Sequence, residues 1–279
     1  MSQSDCVYRP PGTAQASYPF YIHEQSAENL VRWWCNKDTI GPPPPSADLR
    51  RLSDALWEGP GAALIPGLID EGRSDQSNAA ILCRLAAALG TIRPQTSTGE
   101  KVRFLVDDGA GWTRVQPFHS DGADGLALYY LHPAVEGGHL RITSAKRAHE
   151  ALRQSDYASF ALLHKRWYFW RKGRPGPSAF RRPIFGCTEN EIRCFFLPGT
   201  LAQTPAALGT TYSERQRRAL HSLVVVLEEG PSLHLAPDRG DLILVNNHTV
   251  LHARTAYLDA VCSPRLLAKV WFDRSYRPT

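Results

Sequence analysis

Apolar residues recur at helical spacing in three stretches of the chain and at shorter, strand-like spacing over most of the rest. Leu49, Leu52 and Leu56 fall on one face of a helix that Ser46 can cap. Ile81, Leu82, Leu85 and Leu89 define a second helix from Asn78, closed by Gly90. Ser213-Glu214-Arg215-Gln216 has the form of a capping box and predicts a third helix carrying Leu220, Leu223, Val224 and Leu227. The other apolar runs are short and broken by Gly, Pro and Asp: 62–65, 102–106, 125–131, 140–143, 192–197, 242–246 and 266–272. Short strands around a few helices predict a mostly β fold, a barrel or a double-sheet jelly roll with helices packed on one side. Gly41 and the prolines at 42–45 cannot continue a helix. They predict an N-terminal arm and linker, residues 1–45, ahead of one main domain, residues 46–279. Trp33 and Trp34 give the arm apolar surface with which to pack back on the core.

Composition mainly excludes. A chain of 279 residues, 43% hydrophobic and 21% charged, suits a globular protein with a sizeable core. No apolar run approaches the roughly 18 residues of a membrane span. The polar N-terminus lacks the apolar segment of a secretory signal, so the expectation is a cytoplasmic protein with no membrane partner. Six cysteines without a Cys-x-x-Cys pair predict neither a disulfide framework nor a zinc site.

The net charge is +5, and much of it sits between His164 and Arg182. That stretch holds Lys165, Arg166, Arg171, Lys172, Arg174, Arg181 and Arg182, no acid, and the aromatics Trp167, Tyr168, Phe169, Trp170 and Phe180. The simplest reading is a strand with its rings inward and its cations in water. A strip that stacks bases and holds phosphates is an alternative, though a nucleic-acid partner is not expected. A basic wall that attracts an anionic small substrate is another.

The chemistry that stands out is His119-Ser120-Asp121 with a later His252. Residues i and i+2 of a strand point to one side, so His119 and Asp121 can enter one space from one short segment. A third donor must come from another strand, and His252 follows the strand-like run 242–246 after the polar turn Asn246-Asn247-His248-Thr249. Two imidazoles and a carboxylate are the facial ligand set of mononuclear non-haem iron(II) oxygenases. His-x-Asp alone arises often by chance. His132, His139, His149, His221, His234 and His248 are expected to be ordinary surface or core residues.

The surroundings of these residues carry more. Pro117-Phe118-His119-Ser120-Asp121-Gly122, an apolar strand and then Glu136-Gly137-Gly138 come first. Gly240-Asp241-Leu242-Ile243-Leu244-Val245-Asn246-Asn247, His252-Ala253-Arg254-Thr255 and Arg265-Leu266-Leu267-Ala268-Lys269-Val270-Trp271 follow in order. This succession resembles the taurine dioxygenase (TauD/TfdA) family of iron(II)/2-oxoglutarate-dependent oxygenases, over about Ser46 to Pro278.

The resemblance implies a double-stranded β-helix, the jelly-roll core, with iron(II) held by His119, Asp121 and His252 and with dioxygen and 2-oxoglutarate as cosubstrates. It implies that Arg265 pairs with the distal carboxylate of 2-oxoglutarate, a task that suits a planar, always-charged fork. Arg254 occupies a supporting position. Lys269, about 13 Å along the strand from Arg265, matches a position where the taurine enzyme has an arginine that contacts the substrate's anion. One departure concerns the hydroxyl that the family often places two residues after the Gly-Gly turn. Here that residue is Leu140, so either Thr143, Arg141 or another donor supplies the second contact or the cosubstrate is bound differently.

Trp112, Arg114 and Gln116 are expected at the pocket mouth, and Trp170 and Phe196 along an apolar wall. The implied activity is oxidation of an unactivated C–H bond of a small, anionic or amino-acid-like metabolite, with hydroxylation, desaturation or ring closure as outcome and a place in secondary metabolism. The competing readings are a non-catalytic jelly roll that binds through its basic aromatic stretch and a zinc-type hydrolase on the same ligands. Asp121 argues against halogenation, which needs a small residue there to make room for halide.

Overall fold

The computed structural model describes residues 46–106, 114–170, 179–188, 191–259 and 264–275, two-residue strands at 7–8 and 23–24, and residues 30 and 33. The proline run and Trp112 lie outside the described residues. In chain order the strands are β1 (Val7–Tyr8), β2 (His23–Glu24), β3 (Ala62–Ile65), β4 (Gly90–Arg93), β5 (Val102–Leu105), β6 (Gln116–His119), β7 (Gly125–His132), β8 (Glu136–Gly137) and β9 (Leu140–Ser144). They continue with β10 (Arg166–Trp170), β11 (Ala179–Pro183), β12 (Phe185–Cys187), β13 (Ile192–Cys194), β14 (Leu233–Leu235), β15 (Leu242–Asn246), β16 (Val250–Arg254), β17 (Tyr257–Leu258) and β18 (Leu266–Arg274). The helices are α1 (Ser46–Trp57), α2 (Asp75–Leu89), α3 (Ala145–Ser155), α4 (Tyr157–Leu163), α5 (Pro198–Ala207) and α6 (Glu214–Glu229).

Two sheets form the frame. The larger runs β2-β3-β15-β7-β18-β4, with β5 also on β18, and the smaller runs β1-β14-β9-β16-β6. The central strands β3, β7 and β15 of the larger sheet are buried at successive positions because both faces of the sheet are covered there. On β7, Leu126, Leu128 and Tyr130 enter the core between the sheets, where Leu140 and Ile142 of β9 and Leu233 and Leu235 of β14 meet them. The alternating residues Ala127, Tyr129 and Leu131 pack instead against α1, α2, Leu30 and Trp33. A third core lies outside the smaller sheet, where Phe118, Leu251 and Ala253 pack against α3 to α6 and the β10–β13 hairpins. This is the double-stranded β-helix expected for the chain, but with helices on both outer faces and not on one side, because each sheet has an apolar outer face to cover.

Several elements differ from expectation. The second helix starts at Asp75 because the Ser74 hydroxyl accepts from the Ser77 N–H, three residues before Asn78. The strand expected over 192–197 stops at Cys194: the Phe195 N–H still donates to the Ile184 carbonyl across the hairpin, but Phe196 turns to Ser120, donating to its hydroxyl and accepting from its N–H. Helices α3, α4 and α5 had no clear signal. The capping box at Ser213 and Gln216 is present as read. In the basic stretch, Trp167 and Phe169 are buried and Arg166 and Tyr168 exposed. Trp167 and Phe169 therefore belong to the outer core, whereas Tyr168 stays exposed beneath the Arg181 guanidinium.

Asp156 ties the helical layer together. Its carboxylate accepts from the Ser159 N–H, the Ser159 hydroxyl at 2.7 Å and the Ser222 hydroxyl at 2.9 Å, joining α4 to α6. The Ser159 bonds lead in lowering its pKa from 3.8 to about 2. A carboxyl depressed in the folded state contributes stability above its unfolded pKa and loses it as pH falls through the folded one. Asp156→Ala is therefore expected to cost about 0.5–2 kcal/mol at neutral pH, the usual range for an N-cap. The difference from wild type should shrink as urea unfolding is repeated from pH 4 down to pH 2.

Candidate metal centre

Strand pairing assembles the site. On β16, His252 lies directly opposite His119 of β6, and a register shift before Arg254 sets that residue opposite Gln116. The two imidazole centroids are 4.2 Å apart. Asp121 lies just beyond the end of β6, so its approach is fixed by hydrogen bonds and not by strand alternation. The Ser120 N–H donates to the Phe196 carbonyl, and the Asp121 N–H donates to Asn247 Oδ1 at 3.1 Å. Asn247 Nδ2 holds the same loop again at the Ala123 carbonyl. Asn246 anchors the turn to the Leu56 carbonyl at the end of α1. The Gly-Asp ahead of β15 works similarly, as Asp241 accepts from the Gly67 and Asp238 N–H groups.

The result is three donor side chains whose ligating atoms all lie within 4.8 Å of one another. Their protonation suits a metal. His119 Nδ1 is 2.9 Å from the Pro117 carbonyl, which can only accept, so the proton sits on Nδ1 and the Nε2 lone pair faces inward. Gln116 Nε2 lies 3.2 Å from that lone pair. Burial, followed by the charge of His119, lowers His252 to about 3, and burial likewise lowers His119. Burial opposes ionisation of Asp121. Lys269, the two imidazoles and the Trp271 N–H outweigh it and hold the carboxyl at about 2. Two neutral imidazoles and an ionised carboxylate thus meet in a water-poor space. His252 Nδ1 is buried without a partner among the described residues. The donor set fits a divalent iron ion, with imidazole and carboxylate both available as ligands.

A cavity between the sheets opens beside these residues. Alternate residues of β18 and the segment before it turn the same way: Arg265, Leu267 and Lys269 line the cavity, and Trp271 Nε1 donates to Asp121 Oδ2 at 3.1 Å. Lys269 Nζ lies 3.6 Å from the same carboxylate. Arg265 is only 5% exposed, and its guanidinium stacks over Tyr257 at 5.0 Å and Tyr130 at 5.7 Å. Among the described residues it forms no salt bridge. Arg254 also lines the cavity and donates to the Arg114 carbonyl at 2.6 Å. The Gly137-Gly138 turn has φ of +72° and +68°, and a side chain at Gly137 would run into the Ala256 carbonyl.

Other candidates fall elsewhere. Leu140 and Thr143 point to opposite faces of β9: Leu140 lines the cavity, whereas the Thr143 hydroxyl donates to the Pro231 carbonyl. Thr143 therefore cannot replace the hydroxyl that Leu140 lacks, and Arg141 is turned outward to Glu228. Gln116 lines the cavity, but Arg114 does not, and Phe196 packs in the outer core. Trp170 lies on the β10–β11 hairpin away from the lining. Arg103, Tyr130, Tyr257 and Trp271 are at the site without having been singled out for it. Only the register of Arg103 opposite Lys269 brings that arginine to the mouth.

Comparison with known proteins agrees with this geometry. FR-33289 synthase of Streptomyces rubellomurinus is 28% identical over 242 residues, covering 79% of this chain and 71% of that protein. The non-heme iron oxygenase OrfP, solved in complex with Fe, superposes with a TM-score of 0.67 at 16% identity, covering 93% of this chain and 97% of the other. An asparagine oxygenase solved with Fe(II), 2S,3S-3-hydroxyasparagine and succinate gives a TM-score of 0.68 at 17% identity, covering 90% and 93%. The family model described as "Taurine catabolism dioxygenase TauD, TfdA family" matches residues 28–271. The chain belongs to the TauD/TfdA family of iron- and 2-oxoglutarate-dependent dioxygenases.

Proposed function

We propose that the cavity between the sheets is an oxygenase active site for a small anionic, amino-acid-like metabolite, with His119, Asp121 and His252 as the iron(II) ligands. The observation that carries this reading is the convergence of two neutral imidazoles and an ionised carboxylate next to a buried arginine with no carboxylate partner among the described residues. Iron with 2-oxoglutarate and dioxygen supplies the oxidant, as the keto acid is decarboxylated to succinate and carbon dioxide and an unactivated C–H bond of the substrate is broken. The protein's part is binding, orientation and exclusion of water.

Arg265 would hold the distal carboxylate of 2-oxoglutarate, clamped by Tyr257 and Tyr130, with Arg254 adding positive charge at the same end. Trp271 and Lys269 would keep Asp121 ionised and oriented. Leu128, Leu140 and Leu267 keep the interior dry. Arg103, Arg254, Arg265 and Lys269 face only Asp121 among acidic lining residues. Even with 2-oxoglutarate bound, the cavity keeps an excess of positive charge, which favours an anionic substrate. Lys269 and Arg103 are the cations placed to meet its anionic group. The asparagine oxygenase likeness supports an amino-acid frame, and hydroxylation, desaturation or ring closure follows from which carbon is presented. The likeness to a protein named as a synthase supports a biosynthetic role, which we place in secondary metabolism.

Adding iron(II) and 2-oxoglutarate without oxygen is expected to give a visible metal-to-ligand charge-transfer band in the wild type and none in His119→Ala. Readmitting oxygen with a panel of anionic amino-acid derivatives should release succinate in step with one of them. A protein that forms no band and releases no succinate would not be an oxygenase, whereas hydrolysis without succinate would point to a zinc-type hydrolase.

A further inference from the structure

We propose that His149, His164 and Cys187 form a second metal site, for zinc(II), in the outer helical layer. His149 lies on α3, His164 follows the last turn of α4, and Cys187 ends β12. Their ligating atoms lie within 4.8 Å of one another, as the atoms of the iron site do. The cluster sits beyond the smaller sheet, on the side away from the cavity, since α3 packs through Ala145, Ala148 and Leu152 into the outer core.

The distances suit a tetrahedral ion. Zinc–nitrogen bonds of about 2.05 Å and zinc–sulfur bonds of about 2.3 Å place neighbouring ligand atoms about 3.4 Å (N to N) and about 3.6 Å (S to N) apart. His149 Nε2 and His164 Nε2 are 3.2 Å apart, and Cys187 Sγ lies 3.9 Å from His164 Nε2. The protons are arranged for binding as well. His164 Nδ1 is 2.9 Å from the Phe160 carbonyl, which fixes the proton there and turns the Nε2 lone pair towards the cluster. Such a carbonyl-anchored imidazole is the usual outer support of a ligating histidine.

Phe160 and Phe185 hold the rings in place: Phe160 is 4.4 Å from His164 and 4.7 Å from His149, and Phe185 is 5.3 Å from His149. Two imidazoles and a thiolate are a borderline-soft set that prefers zinc(II) to iron(II). Cys187 is exposed, so its proton leaves to solvent on binding and a water completes the fourth position.

The site would brace the catalytic strands. The hairpin that begins at Phe185 leads through β13 to Phe196, whose backbone grips Ser120 between His119 and Asp121. Zinc would pin that hairpin to α3 and α4. Without metal the same groups are joined only by the His149–His164 hydrogen bond and the contact of the Cys187 thiol with His164.

Cobalt(II) titration of the full chain separates the two sites, because only the outer one offers sulfur. The expected result is a near-ultraviolet thiolate-to-cobalt charge-transfer band in the wild type that is abolished in Cys187→Ala and in His164→Ala. Zinc(II) should displace the band and raise the thermal midpoint of the wild type more than that of Cys187→Ala. Both variants should retain the iron(II)–2-oxoglutarate band, which reports an intact fold. Absence of a thiolate band in the wild type, or its survival in Cys187→Ala, would overturn the proposal.

Discussion

Replacing Arg265 by alanine is expected to weaken 2-oxoglutarate binding by about 2–5 kcal/mol, the usual cost of removing one partner of a buried charge pair. At about 1.4 kcal/mol per tenfold, that is a loss of roughly 30-fold to several thousand-fold. The size follows from position. The guanidinium is 5% exposed and held by ring contacts with Tyr257 and Tyr130. A distal carboxylate left without it would be desolvated and unpaired. Titrating the charge-transfer band with 2-oxoglutarate gives the affinity directly. Arg265→Lys should recover only part of it, since an ammonium keeps the charge and loses the two-pronged geometry. Iron(II) affinity should be unchanged in both variants, because Arg265 does not touch the three donor residues. An unaltered 2-oxoglutarate affinity in Arg265→Ala would remove this residue from the cosubstrate site.

What could be read from the chain and what could not divides along physical lines. The strands carrying the site announce themselves because short apolar runs and their Gly, Asp and Asn punctuation are local: Asp241 closes the turn before β15 by accepting from the Asp238 N–H three residues away. Asn247 stands out in the motif, but its grip on the Asp121 loop joins segments far apart in the chain and shows only in the fold. Helix α3 was missed because its regularly spaced buried face, Ala145, Ala148, His149 and Leu152, is built of small residues and a histidine and gives a weak apolar signal, and α4 and α5 were missed because they bury too few apolar residues to form a stripe. In α4, Ser159 and Leu163 alone are buried. The placement of Thr143 turned on alternation along β9. Counting from the Gly-Gly turn places Thr143 near the cosubstrate, but it is an odd number of residues from Leu140 and so must face the other way.

Residues brought in by pairing between distant strands left no local trace. Arg103 reaches the mouth only because β5 adds to the edge of β18. The outer His149–His164–Cys187 cluster joins two helices and a hairpin, so no sequence spacing reveals it, and the cysteine pattern pointed away from zinc. Trp271 illustrates the converse. Its place in the family motif is plain from sequence, but its task, a hydrogen bond to the Asp121 carboxylate, appears only once β18 is laid beside the metal loop.

The larger effect is expected from His252→Ala. Outer-shell partners of metal ligands already cost 10–100-fold in affinity or activity when removed, so loss of a ligand itself should lower iron(II) affinity by more than about 100-fold and abolish succinate release. The fold should tolerate the change. His252 is 4% exposed, burial keeps it neutral, and its Nδ1 has no partner among the described residues, so the ring contributes little polar bonding to the metal-free protein. The apolar residues of β16, Val250 and Leu251, continue to hold the strand in its two cores. A ligand that binds only the folded state stabilises it in proportion to the logarithm of its saturation. Anaerobic iron(II) should therefore raise the thermal midpoint of the wild type and leave that of His252→Ala unmoved, with the two metal-free midpoints close together. Retained iron-dependent stabilisation in the variant would place the metal elsewhere, and a collapsed metal-free midpoint would make His252 a structural residue first and a ligand second.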